Sequence, residues 1–197
     1  SKDFNEDDLA KITRRFVLIL YNSFLFWSTY GQAGEAKLTK EPTHVLDRWV
    51  LARKDEVVSQ VTQLLENYEI GKAALALEQF TDDLSRWYIR RSRDRFQSSA
   101  RGDSSHEADY REASATLREV LLVLARLLAP FMPFFSEALY QSIGGVENSV
   151  HLASWPQASA KNLDTGLLAK MKSVRDIAAA ALALRAEAKI KVRQPLA

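Results

Sequence analysis

The chain has 197 residues, 47% of them hydrophobic, enough for one large domain with a proper core or for a bundle with a small appendage. Its 27 basic and 25 acidic residues leave a net charge of +2, so no strong global field exists and any nucleic-acid contact must come from local clustering. Cysteine is absent, which excludes disulfides and thiolate metal sites, and His44, His106 and His151 are too scattered for a histidine site, so no metal is expected. No stretch of about eighteen uncharged apolar residues occurs, because Phe16–Trp27 and Val120–Phe135 are short or interrupted by Arg126, Pro130 and Pro133. No membrane span is expected. The opening Ser1–Asp8 is acidic and shows no signal peptide. The lack of cysteine makes the chain read as cytoplasmic.

Only 7 Gly and 5 Pro occur, mostly between long periodic segments, which predicts an all-α fold: a bundle of five to six long helices with a short extended strap. The first helix opens at Asn5 as N-cap, places Glu6, Asp7 and Asp8 in its first turn and runs to Tyr30, with Ile12, Phe16, Ile19, Phe24 and Trp27 as its apolar line. A polar connection, Gly31–Glu41, leads to Pro42 and to Thr43 as cap of a second helix ending near Asn67. The third helix, Ile70 to Phe96, sets Ala73, Leu77, Phe80, Leu84, Trp87 and Tyr88 on one face. A small, polar loop follows over Ser98–Ser105. The fourth helix, Ala108 to Leu128, is predicted to bury Leu117, Val120, Leu121, Leu124 and Leu128, and Pro130 and Pro133 bend the chain into a fifth over Phe134–Ile143. Val150–Pro156 reads as an extended strap lying on the bundle. Asp164 caps a last helix whose Ala178–Ala183 run suggests close approach of another backbone, and Lys189–Leu196 alternates like a strand opening something new. The domain is placed at residues 1–188, with 189–197 the truncated start of the next.

A Gly-rich phosphate loop, a nucleophile elbow and a Ser/His/Asp arrangement are all missing, so no catalytic residue and no cofactor site is assigned. Asp82 and Asp83 are consecutive, hence about 100° apart on a helix, and Asp82 stands one turn before Arg86, the spacing of a solvated salt bridge. The informative segment is Ser85–Phe96, with five arginines and three aromatics. At α-helical spacing Arg86, Arg90 and Arg93 fall on the side of Asp82 and Asp83, whereas Arg91 and Arg95 continue the apolar line of Leu77, Leu84, Trp87 and Tyr88. An arginine on a core-facing line is costly unless it is paired or stands where the bundle ends and an anion arrives. Guanidinium forks grip phosphates and stack on bases, and aromatics beside them are stacking platforms, the chemistry that single-stranded RNA loops require. Trp87, Arg90, Arg91, Arg93 and Arg95 are therefore the candidate RNA-binding residues. The alternative is structural: the arginines complement the helix C-terminus and neutralise Glu119 and Glu137. Trp49 and Trp155 read as core anchors, Arg185 as a locally paired side chain, and Asn22 beside Tyr21 fits an interhelical hydrogen bond as well as a ligand contact.

Several segments occur in an order that resembles the post-catalytic region of isoleucyl-tRNA synthetases: Phe4–Asp8, Tyr21–Ser23, Leu46–Leu51, Trp87–Arg93, Leu128–Phe134, Val150–Leu152 with Trp155–Pro156, and Ala188–Leu196. Leu-Asp-Arg-Trp, Leu-Ala-Pro-Phe and Val-His-Leu with Trp-Pro look like elements shared with the valine and leucine enzymes. Trp-Tyr-Ile-Arg-Arg-Ser-Arg and Lys-Ile-Lys-Val-Arg-Gln-Pro-Leu look specifically like the isoleucine enzyme, with valyl-tRNA synthetase the nearest rival. The resemblance implies a monomeric, cytoplasmic protein whose helical domain packs beside the catalytic domain of the same chain and receives the anticodon stem-loop of isoleucine tRNA. It implies no cofactor in this segment, since the His-Ile-Gly-His-like and Lys-Met-Ser-Lys-Ser-like ATP signatures occur nowhere in it; ATP belongs to the full-length enzyme. An RNA-binding module of a ligase and a protein-interaction scaffold remain the two readings. Carboxylate pairing of all the arginines favours the scaffold, and an open arginine surface beside exposed aromatics favours the module.

Overall fold

The computed structural model describes residues 5–31, 38, 41–100, 106–159 and 163–195, with 98–100 described by backbone alone. The Arg101–Ser105 end of the polar loop and most of the Gly31–Glu41 connection lie outside the described residues. Helix follows helix: α1 (Glu6–Ile12), a first π turn (Thr13–Val17) and α2 (Leu18–Tyr30) are continuous, then α3 (Val45–Glu66) and α4 (Ile70–Asp83). A second π turn (Leu84–Ile89) joins α4 to α5 (Arg90–Ala100), and α6 (Glu107–Leu128), α7 (Pro133–Ser142) and α8 (Thr165–Glu187) complete the order. The fold is all-α, and no strand occurs among the described residues. No described helix is long and apolar enough to cross a membrane.

Two compact units are distinguished, Ser1–Leu163 and Asp164–Ala197. In the first, α6 is the axis: it packs against α2, α3, α4, α5 and α7, and Leu117, Val120, Leu121, Leu124 and Leu128 are buried as the sequence predicts. Trp49 is also a core anchor. α5 packs through an aromatic chain in which Phe96 meets Phe26 edge-on at 5.0 Å and Tyr110 at 6.2 Å, while the Tyr110 hydroxyl donates to the carbonyl of Tyr30 at 2.8 Å.

Helix ends follow capping physics, with corrections. Asn5 caps α1, its Oδ1 accepting from the Asp7 amide at 2.8 Å. The cap of α3 is His44, not Thr43: His44 Nδ1 accepts from the Leu46 amide at 3.2 Å, while the Thr43 amide and hydroxyl both donate to Glu112 on α6. After α3 the chain turns at Tyr68 with φ 58°, and the Glu69 amide reaches the Leu64 carbonyl at 2.8 Å, a Schellman closure without glycine. The same closure ends α7, where Gly144 takes φ 77° and the Gly145 amide meets the Tyr140 carbonyl at 3.0 Å. Ser98–Ala100 belong to α5 rather than to the polar loop. Ser149–Ala153 form turns instead of a strand-like strap, although Trp155 does lie on the bundle, its Nε1 donating to Thr62 Oγ1 at 2.8 Å.

In the second unit Asp164 caps α8 by accepting from the Leu167 amide at 2.8 Å. The described part of Lys189–Leu196 is turn and irregular chain: Lys189 adopts φ 56°, the Ile190 amide closes on Arg185 O at 2.9 Å, and Arg185 Nη2 donates to the carbonyls of Lys191 and Gln194. A left-handed residue at the helix end breaks the alternation before a strand can form. Ala178 is half-buried and Ala179–Ala181 and Ala183 are exposed.

Candidate nucleic-acid interface

Of the candidate residues Trp87 lies within the second π turn and the four arginines follow it, and that turn decides where the arginines point. A π turn holds one residue more than an α turn, so everything beyond it is set back by about 100° relative to an unbroken α-helix. Upstream the buried line is Ala73, Ala76, Leu77, Phe80 and Leu84; downstream it becomes Tyr88, Ile89, Ser92 and Phe96. In the first helix Phe16 and Trp27 are buried as expected, while beyond the first π turn Leu20, Ser23 and Phe26 are buried too and Ile19 and Phe24 are half-buried; Ile12, before that turn, is exposed. The insertions correct the downstream part of each apolar line.

Arg91 therefore leaves the core-facing line. It is exposed, with its guanidinium 4.3 Å from the centre of the half-buried Trp87 ring. Arg90 and Arg93 are exposed as well, and among the described residues none of Arg90, Arg91 and Arg93 forms an ion pair. Arg86 pairs with Asp82 at 2.6 Å on the surface, as their spacing predicts. Asp83 faces inward and receives Arg53 Nε at 3.1 Å.

Arg95 remains on the inner side, and here the structure supplies partners. Its Nη1 and Nη2 fork onto Asp47 Oδ1 and Oδ2 at 2.9 and 2.7 Å, while Nε and Nη2 grip Asp109 Oδ2 and Oδ1 at 2.9 and 2.7 Å. The Tyr88 hydroxyl donates to Asp47 Oδ1 at 2.7 Å. Burial opposes the Arg95 charge, but hydrogen bonds and attraction from Asp47 and Asp109 outweigh it and hold the guanidinium above its ordinary pKa. Burial, then the Asp47 charge, raises the Tyr88 phenol, which stays a protonated donor. Asp47 and Asp109 stand in the first turns of α3 and α6, where helix dipoles favour the second negative charge of this three-ion cluster.

The carboxylates once considered as internal partners for the arginines are used elsewhere. Glu119 meets Lys54 at 3.4 Å, and Glu137 accepts the Val150 amide at 2.8 Å and the Ser149 hydroxyl at 2.9 Å. Asp47, Asp109 and Tyr88 escaped the sequence reading as a group. The available signal was a carboxylate on the apolar face of α3 and an arginine on that of α5, each needing the other. Asn22 is exposed.

A family model described as the anticodon-binding domain of tRNA ligase matches residues 47–197, beginning at Asp47 and taking in every candidate arginine. The chain belongs to this anticodon-binding family. That membership separates the tRNA-ligase reading from the scaffold reading. The anticodon-binding domain is 42% identical to an isoleucine–tRNA ligase of Deinococcus radiodurans over 200 residues, covering 100% of this chain and 18% of the relative. The isoleucine–tRNA ligase of Streptomyces avermitilis is 38% identical, covering 95% of the chain and 18% of the relative. That of Thermus thermophilus is 36% identical, covering 98% and 19%. The chain thus spans about a fifth of the length of these relatives.

Proposed function

We infer that this anticodon-binding domain serves an isoleucine–tRNA ligase and receives the anticodon arm of isoleucine tRNA on the surface carrying Trp87, Arg90, Arg91 and Arg93. Identity of 42% to an isoleucine–tRNA ligase across the whole chain is the observation that carries the inference. The geometry supports it chemically: three exposed arginines, none engaged by a carboxylate among the described residues, stand beside an aromatic face already used for cation stacking. Such a set grips phosphates by charge-assisted forks and stacks unpaired bases. Joining isoleucine to the tRNA with ATP is the task of catalytic parts of the same polypeptide outside this chain. Residues 1–188 act as the domain and 189–197 lead into the next, in a monomeric cytoplasmic enzyme.

The test is titration of the intact protein with isoleucine and valine tRNAs at a series of salt concentrations. Tighter binding of the isoleucine tRNA and a salt slope that flattens by about 0.7–0.9 for Arg91→Ala are expected. Equal binding of both tRNAs refutes the isoleucine assignment, and an unchanged slope in Arg91→Ala refutes the surface.

A further inference from the structure

The second π turn exposes Arg90, Arg91 and Arg93 only if α5 keeps the rotation that the turn gives it. Something must hold that rotation. Ser92 and Phe96 are buried on the inner side, but the Ser92 hydroxyl has no hydrogen-bond partner, and apolar contact tolerates sliding and rotation better than directed bonds do. The one set of directed bonds from the inner face of α5 among the described residues is at Arg95, whose planar fork reaches both carboxylates in two-point contact and so fixes angle as well as distance. Those carboxylates come from α3 and α6, and the π turn itself contributes the Tyr88 hydroxyl.

We propose that Arg95 is a positioning residue for tRNA binding: clamped by Asp47, Asp109 and Tyr88, it locks the rotation of α5 so that Arg90, Arg91 and Arg93 present one face to the RNA backbone. The proposal rests on the RNA-binding surface inferred above. Arg95 makes no phosphate contact itself, because four of its five N–H donors are committed to the Asp47 and Asp109 carboxylates within the bundle and its side chain is 10% exposed. A lysine at this position keeps the charge but replaces the fork with a point donor, which loses the angular lock.

The experiment compares Arg95→Lys, Tyr88→Phe and Arg91→Ala in the intact protein, titrated with isoleucine tRNA at several salt concentrations well below each variant's unfolding temperature. Arg91→Ala lowers affinity and flattens the slope of log affinity against log salt by about 0.7–0.9. Arg95→Lys is expected to lower affinity about five- to tenfold at every salt concentration with the parental slope, since no phosphate contact is lost. Tyr88→Phe shifts the line the same way by less. A flattened slope in Arg95→Lys means Arg95 grips phosphate and overturns the proposal. Parental lines for both Arg95→Lys and Tyr88→Phe, beside a flattened Arg91→Ala line, overturn the clamp and leave the surface standing. A parental Arg91→Ala line overturns the surface and the clamp's role with it. If Arg95→Lys does not fold, the Tyr88→Phe line alone decides between these outcomes.

Discussion

Arg91 and Arg95 are one α-helical turn apart on α5, and their surroundings are opposite. Arg95 is enclosed by two carboxylates and a phenol, each supplied by a different element, and its bonds are directed inward. Arg91 is exposed, stacked over Trp87, and leaves its N–H donors to solvent or to a ligand. The difference comes from what packs around the helix at each position, because both positions carry the same residue type on the same helix and are set back equally by the π turn. Counting basic residues in such a segment therefore overstates the surface available to an anion. Each arginine must first be asked whether the fold has already neutralised it.

The largest effect should come from opening the enclosed side. Asp47→Ala removes one of the two carboxylates that hold Arg95 and the main acceptor of the Tyr88 hydroxyl at a fully buried position, leaving Arg95 to Asp109 and Tyr88 to the Ala113 carbonyl. A loss of about 3–5 kcal/mol is expected by urea unfolding, with α5 the first segment to lose amide protection in hydrogen exchange. A loss under about 1 kcal/mol would show that Arg95 finds other partners and that the clamp is weak.

Glu112 reads the same corner through pH. Burial works against its charge, yet amide donors from His44 and Thr43, the Thr43 hydroxyl and the nearby Arg95 charge outweigh that and lower its pKa below the ordinary carboxylate value. Because the folded pKa is the lower one, the stabilisation is complete above the unfolded value and disappears as pH falls through the folded value. Glu112→Gln should cost about 1–2 kcal/mol at neutral pH and remove this share of the acid sensitivity below about pH 4.5. Parallel stability curves for parent and variant across that window would show that Glu112 carries no linkage.

The all-α class, the caps at Asn5 and Asp164, the turn after Asn67 and the Asp82–Arg86 pair were legible in the sequence, because each is set by residues within a turn or two of one another. The π turns were not. Nothing in Thr13–Val17 or Leu84–Ile89 announces an extra residue locally; it becomes visible only when the downstream buried line is seen to run through Ser92 and Phe96 with Arg91 left exposed. The clamp was half legible: Arg95 on an apolar line asked for a partner, but the choice of Asp47 and Asp109 depends on how three helices meet.

On the open side effects on stability should be small. Arg91→Ala removes one exposed cation–π contact, and a loss of no more than about 0.5–1 kcal/mol is expected from thermal unfolding, although the same substitution is expected to weaken tRNA binding. A larger stability loss would make Arg91 a packing residue through its stem and remove the contrast with Arg95.

The smallest effect isolates what makes Arg95 different from a merely paired arginine. Arg86 also has a carboxylate partner, Asp82 at 2.6 Å, but its side chain is 64% exposed and that of Asp82 is 38% exposed. Water and salt compete for both groups, and holding two side chains together costs rotamer entropy, so a pair of this kind is worth about 0.3–0.5 kcal/mol. A double-mutant cycle on Asp82 and Arg86 should return a coupling of that size that fades with added salt. The same cycle on Asp47 and Arg95 should return several times more and change little with salt, because neither partner can recover its hydration when the other is removed. Equal couplings in the two cycles would mean that pairing alone, and not enclosure between α3, α5 and α6, accounts for Arg95.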